Sequence, residues 1–316
     1  MKLRIFVTFV TFLIGLLVVA CNPALEIEVA SPASEVPDEK SVENVVTEPA
    51  KPTEASTDEP NLLEEAIPVD VQVVEFTSTD GTVLQGAYYP PEIGPAPVVV
   101  LMHQYPLDHE TEWFAIAPWL QNRGLAESVL PGNLPWGNPL WFPAVPDDLD
   151  VGVFVFTFRG CWGGCQNAGL SSAEGAIWAE DAKAALLYAA NLQGADSEQI
   201  VAVGTSIGAD GAVDGCWLAE EDGLQCAGAM SWSPGNYLMM PYDETVGYLT
   251  ESGVLVRCFA GEGDIQSAET CRSYSGDGYE IEIDPSGNHG IALVDPDLEI
   301  ATLNLLLDFL NQTVGQ

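Results

Sequence analysis

The sequence predicts an α/β domain with a mostly parallel central sheet of about eight strands and helices on both faces. Three observations carry that expectation. From residue 69 onward, short β-rich runs are spaced by helical patterns. Three of the runs, PVVVLM, GVFVF and QIVAV, are apolar throughout instead of alternating. A serine stands between two glycines directly after the third run, in GTSIGAD from Gly204 to Asp210. Alternation of strands and helices builds parallel units, and a strand apolar on both sides of its pleat is one covered on both faces.

In chain order the expected strands are VQVVEFT, VLQGAYY, PVVVLMH, GVFVFTF, QIVAVGTS, CAGAMSW, GVLVRCFA and YEIEI. The helical patterns are TEWFAIAPWLQNR, then the long run from Ser171 to Gln193, then GADGAVDGCWLAE, and last DLEIATLNLLLDFLNQ. Between the first helix and the fourth strand, residues 125–149 form an insertion far longer than ordinary connections and dense in Pro, Trp and Phe.

What precedes this domain reads differently. Lys2 and Arg4 stand before an apolar run from Ile5 to Ala20, a block of signal-peptide length that ends in VVAC. Residues 1–21 therefore read as a signal peptide, and the residues before Cys21 resemble a bacterial lipobox, in which the cysteine is lipidated. The alternative is an uncleaved anchor helix. Either reading places the remainder outside the cytoplasmic membrane, and several acyl chains on Cys21 would hold it there stably. Residues 22–68 carry twelve acids against two lysines with no apolar periodicity, the composition of a disordered tether. Residues 69–316 are the folded domain.

Charge narrows the partners. With 47 acidic and 9 basic residues the net charge is -38, so nucleic-acid phosphates and strongly anionic surfaces are repelled. The domain's basic residues are Arg123, Arg159, Lys183, Arg257 and Arg272. A neutral substrate suits that balance better than an anionic one.

The match Gly204, Ser206, Gly208 lies between an expected buried strand and a helix, the context in which a G-x-S-x-G turn lifts a serine clear of the sheet edge. A serine hydroxyl needs a base, and the chain has three histidines, His103, His109 and His289. His289, in SGNHGIA after the last strand, is the expected base. His103 is expected to shape the rim of the site through hydrogen bonds and His109 to be solvated. The three lack metal-ligand spacing, so no metal site is expected. An imidazole needs a carboxylate to fix its tautomer. Asp264, in the loop after LVRCFAG, is the expected partner, with Glu262 held in reserve.

The order Ser206, Asp264, His289 on such a sheet resembles the α/β-hydrolase superfamily, from about Val71 to Thr313. DGTVLQGAYYPP followed by PVVVLMHQYPLD is similar to the entry strands of dienelactone-hydrolase-like and acyl-peptidase-like esterases. FTFRG resembles their Arg-Gly turn, and AEDAKAAL the helix before the nucleophile, with Asp181 where such proteins often carry aspartate. The chain departs from the pattern at Gln104, at Ala209 and at Thr157. The resemblance implies an α/β-hydrolase fold and acyl transfer to water without a cofactor. Ser206 would attack and His289 would take its proton, while the backbone N–H groups of Tyr105 and Ile207 would meet the oxyanion. A small ester or acyl compound is the expected substrate. Its pocket is expected around His103, Gln104, Trp136, Trp141 and Phe142, with the 125–149 insertion as a candidate lid or a self-packed surface loop. A serine peptidase or amidase would use the same three residues, and a non-catalytic surface-binding lipoprotein is the third possibility.

Two pairings are also expected. Arg159, after the fourth strand, should pair with Asp181 on the helix leading to the nucleophile strand. Six cysteines remain besides Cys21, and locality pairs them as Cys161 with Cys165, Cys216 with Cys226, and Cys258 with Cys271.

Overall fold

The computed structural model describes residues 70–123, 134–165 and 172–314. The expected signal peptide with Cys21, the 22–68 tether and the first part of the insertion lie outside the described residues. Eight strands form one sheet: β1 (Gln72–Thr77), β2 (Val83–Tyr89), β3 (Ala96–Met102), β4 (Gly152–Phe156), β5 (Ala195–Thr205), β6 (Gly228–Trp232), β7 (Leu255–Gly261) and β8 (Tyr279–Asp284). Their order is β1-β2-β4-β3-β5-β6-β7-β8. The β1–β2 and β2–β4 pairs are antiparallel, and every later pair is parallel.

The uninterrupted apolar strands do what their composition requires. In β3, Val98, Val100 and Met102 enter one core layer while Val99 and Leu101 enter the other. In β5, Ile200 and Ala202 divide from Val201 and Val203 in the same way. Helices α3 (Ser172–Ala189), α4 (Ile207–Glu220) and α5 (Tyr242–Glu251) supply Trp178, Val213 and Val246 to the first layer. The second layer is closed by α2 (Ile116–Leu120) and α7 (Thr302–Val314), through Ile116, Leu306 and Phe309.

The helix expected across residues 111–123 is broken into α1 (His109–Glu112) and α2. Pro118 explains the break: its ring collides with the carbonyl four residues earlier, at Phe114, and it has no N–H to donate there. Two short helices that the sequence reading omitted are α5 and α6 (Ile265–Cys271). In the described part of the insertion, residues 135–137 and 139–141 make single 3₁₀ turns, each opened by a proline. The half-buried Trp136, Trp141 and Phe142 pack on the α2 and α7 layer. Trp136 Nε1 donates to Thr111 O at 3.3 Å, and the rings of Trp119 and Phe142 lie 5.5 Å apart.

All three expected cysteine pairs are joined: Cys161–Cys165, Cys216–Cys226 and Cys258–Cys271. The last ties β7 to α6, on either side of the loop that carries Asp264. The expected Arg159–Asp181 pair is present too. Arg159 Nε lies 2.9 Å from Asp181 Oδ2, its backbone N–H reaches the same oxygen at 3.1 Å, and its remaining nitrogens reach Asp80 and Ser78. Asp181 is fully buried. Arg159→Ala strands that carboxylate without its cation, which costs about 3 kcal/mol when one partner of a buried pair is removed. Calorimetry should show the melting temperature falling by roughly 6–12 °C for a domain of this size. An unchanged melting temperature would show that the pair contributes nothing.

Candidate active site

Strand β5 ends at Thr205 and α4 begins at Ile207, so Ser206 alone makes the turn. Its backbone sits at φ 51° and ψ -115°, a conformation that non-glycine residues seldom adopt and that here is held from several sides. Ser206 N donates to Trp232 O on β6 at 2.8 Å, and Ser206 O accepts from Ala209 N at 2.9 Å. The flanking glycines are steric necessities. A Cβ on Gly204 would lie 1.9 Å from Gly208 O, and one on Gly208 would lie 2.1 Å from Met102 O.

The loops after β7 and β8 run side by side. Glu262 N donates to Asp284 O at 2.7 Å and Gly263 N to Ser286 O at 2.8 Å. That zipper brings Asp264, at the head of α6, to His289: Nδ1 and Asp264 Oδ2 are 2.6 Å apart. With Nδ1–H given to the carboxylate, Nε2 is left as an acceptor. Asp264 makes no side-chain cap on α6. The reserve candidate, Glu262, pairs with Arg272 at the surface instead.

Among the described residues no hydrogen bond joins Ser206 Oγ to His289. Tyr237 lies on the loop after β6, near enough to the turn for the Ser206 hydroxyl to act on its phenol. Burial pushes that phenol up to about 12, with the carboxylates of Asp210 and Asp264 adding to the rise and the hydroxyls of Ser267 and Ser206 opposing it. The Tyr237 loop is held by two carboxylates one turn apart on α4. Asp210 accepts from Gly235 N at 3.0 Å and from Tyr237 N. Asp214 accepts from Met239 N at 3.0 Å and from Thr245 Oγ1 at 2.9 Å. Tyr237, Asp210 and Asp214 were missed in the sequence. A usable signal was present, because two aspartates at i and i+4 in an otherwise Gly, Ala and Val helix share one face, and that face is buried.

The β3 loop corrects the expected pocket. His103 is fully buried and does not line the pocket, but it does shape the site's edge through hydrogen bonds, as expected. Its Nε2 accepts from Phe158 N at 3.0 Å and its Nδ1 lies 2.9 Å from Gln104 O, so it pins the end of β3 to the end of β4. Burial lowers its pKa to about 4 and keeps the ring neutral. His109 is likewise buried, not solvated: its Nδ1 is 2.6 Å from Thr157 Oγ1. Thr157 is one of the positions where the sequence departs from the pattern it resembles, and this imidazole is its partner. Gln104 is a connector, with its Oε1 accepting from Ile291 N at 2.8 Å, two residues after His289. Tyr105 is partly exposed beside it, and Ile207 is buried at the first position of α4. Trp141 and Phe142 line a cavity of about 280 Å³ together with Val294 and Thr302.

Three carboxyls here are raised by burial: Glu112 to about 8, Asp210 to about 7 and Asp214 to about 6. An acid whose folded pKa lies above its unfolded value holds its proton more tightly in the folded state. Its stabilising contribution is present at low pH and is lost as pH rises through the folded pKa. Self-repulsion of the -38 net charge acts in the same direction. Thermal melts between pH 5.5 and 8.5 should therefore show the melting temperature falling by roughly 5–10 °C, the equivalent of about 2–3 kcal/mol. A melting temperature that climbs over that range would contradict the burial of these groups as acids.

No family model matches the sequence, and no curated protein matches it. Solved structures do. An α/β hydrolase, GrgF, from Penicillium sp. sh18 superposes with a TM-score of 0.54 at 15% identity, over 78% of this chain and 100% of that one. A dienelactone hydrolase from Anabaena variabilis ATCC 29413 superposes with a TM-score of 0.52 at 10% identity, over 79% and 100%. The esterase Est22 superposes with a TM-score of 0.51 at 14% identity, over 80% and 83%. Identities this low speak for the fold, and they agree with the strand order and the strand-turn-helix geometry at Ser206: the described domain has the α/β-hydrolase fold.

Proposed function

We propose that this protein is a serine hydrolase that cleaves a neutral carboxylic ester through an acyl-enzyme on Ser206. One observation carries the reading: a strained serine turn after β5 stands on the same sheet edge as a hydrogen-bonded Asp264–His289 pair. His289 Nε2 takes the Ser206 proton as Oγ bonds to the acyl carbon, and the carbonyl oxygen becomes an oxyanion facing the N–H groups of Tyr105 and Ile207. Collapse breaks the bond to the alkoxy oxygen, which leaves with the proton from His289. Water then attacks the acyl carbon with His289 again as base, releasing the acid and restoring Ser206. Protein groups carry each step, and no cofactor is called for.

The preference for a neutral ester rests on charge. Among the described residues Arg159, Lys183, Arg257 and Arg272 are each paired with a carboxylate, and Arg123 donates to Pro90 O. A carboxylate on the substrate would find few counter-charges. Export as a lipid-anchored protein is part of the same proposal, and the three disulfides favour an oxidising compartment. Turnover of p-nitrophenyl butyrate, its anilide counterpart and a succinyl half-ester tests the reading. The neutral ester should be cleaved at least about a hundredfold faster than either of the others. Equal rates on the anilide would favour the amidase reading, and no turnover of any would favour a binding protein.

A further inference from the structure

We propose that Glu112 is a positioning residue that locks the Tyr105 loop and the Ser206 turn into one rigid unit. The inference rests on the hydrolase reading above and adds to it a residue outside the Ser-His-Asp set. Glu112 ends α1 and is fully buried, and among the described residues no lysine or arginine pairs with it. A carboxyl placed so is unfavourable for folding unless its oxygens are used. Both are. Oε2 accepts the backbone N–H of Gln104 at 2.7 Å, and Oε1 shares a hydrogen bond with Thr205 Oγ1.

Those two partners are the immediate neighbours of the groups that matter. Gln104 precedes Tyr105, whose N–H is the proposed oxyanion donor, and Thr205 precedes Ser206. Fixing the Gln104 peptide sets the direction of the next N–H, and fixing Thr205 sets the start of the serine turn. The linkage extends further, since the Gln104 side chain accepts from Ile291 N and Gly290 N donates to Ser233 Oγ at 3.0 Å. Gly290 sits at φ 57°, which favours glycine, and a Cβ there would lie 1.9 Å from Gln104 Oε1 and push that side chain off its contact. The nucleophile turn, the oxyanion loop and the histidine loop come from the ends of β5, β3 and β8, and this buried to partly buried chain of hydrogen bonds connects all three.

Burial pushes Glu112 up to about 8, with Thr205 and Gln104 opposing the rise and Asp108 adding to it, so the carboxyl is largely protonated at neutral pH. A glutamine reproduces that state: its oxygen accepts from Gln104 N–H and its amide donates to Thr205 Oγ1. A leucine removes both bonds. Displacing an oxyanion donor or a nucleophile by about 1 Å lowers rates by about 10²-fold.

The test is the rate at which Ser206 is labelled by a fluorophosphonate probe, together with kcat and KM on a neutral ester, well below each variant's melting temperature. Glu112→Leu should label about 10²-fold more slowly, with kcat falling in parallel and KM within about threefold of wild type. Glu112→Gln should recover most of that loss. Thr205→Val, which removes one bond and keeps the shape, should slow labelling about tenfold. A folded Glu112→Leu protein that labels at the wild-type rate would overturn the inference, as would Glu112→Gln falling as far as Glu112→Leu. If Glu112→Leu does not fold, Thr205→Val decides, and wild-type labelling by it is the contrary result. A wild-type protein that resists the probe would overturn the hydrolase reading and this inference with it.

Discussion

Ser206→Ala should lower ester hydrolysis by about 10⁴-fold or more while leaving the fold intact. The size follows from the cooperative use of the three groups: without Oγ, His289 has no nucleophile to activate, and binding with the oxyanion donors alone gives only residual rate. Survival of the fold follows from the contacts. Ser206 is held by its backbone, through Trp232 O and Ala209 N, and alanine keeps both bonds in the same strained φ. The melting temperature should stay within about 3 °C of wild type, since a change of under about 1 kcal/mol moves a domain of this size no further. A variant with activity within tenfold of wild type would remove Ser206 from the chemistry.

Asp264→Asn should be nearly as damaging, lowering kcat by about 10⁴-fold with little change in stability. The carboxylate accepts the Nδ1 proton of His289 at 2.6 Å, and that contact keeps Nε2 free to accept. An asparagine can turn its NH₂ toward Nδ1, which favours the tautomer with the proton on Nε2 and leaves the base unable to act. Glu262→Gln is the matched control. Its side chain lies at the surface against Arg272, so its kcat should stay within twofold of wild type. Equal losses in the two variants would mean that the acid had been assigned to the wrong side chain.

The parts of this molecule legible in the sequence are those set by local pattern. Strands β3, β4 and β5 declare themselves because burial on both faces demands unbroken apolar runs, and the serine turn declares itself because Gly204 and Gly208 admit no Cβ. Asp264 and His289 follow from the loops that strand ends create. The three disulfides follow from short separations within those same elements.

What escaped the sequence depends on contacts distant in the chain. Glu112 reaches Thr205 across 93 residues, and Gln104 reaches Ile291 across 187, distances at which spacing carries no signal. His109 stands beside polar loop residues, where a histidine is ordinarily solvated, yet its partner Thr157 Oγ1 comes from the end of β4 and draws the ring inside. Helix α5 buries Tyr242, Thr245, Val246 and Leu249 at helical spacing, but threonine and tyrosine dilute the apolar stripe on which the pattern is read. Asp210 and Asp214 hold the Tyr237 loop through backbone N–H groups 25 to 27 residues away, contacts visible in three dimensions alone.

The central claim, that the turn at Ser206 carries an activated nucleophile, is tested most directly by exposing the folded protein to a fluorophosphonate and mapping the adduct by peptide mass spectrometry. One adduct per chain is expected, on the peptide containing Ser206, formed rapidly by the wild-type protein and absent from Ser206→Ala. An adduct on any other residue, or continued ester hydrolysis by a protein that takes up no label, would contradict it.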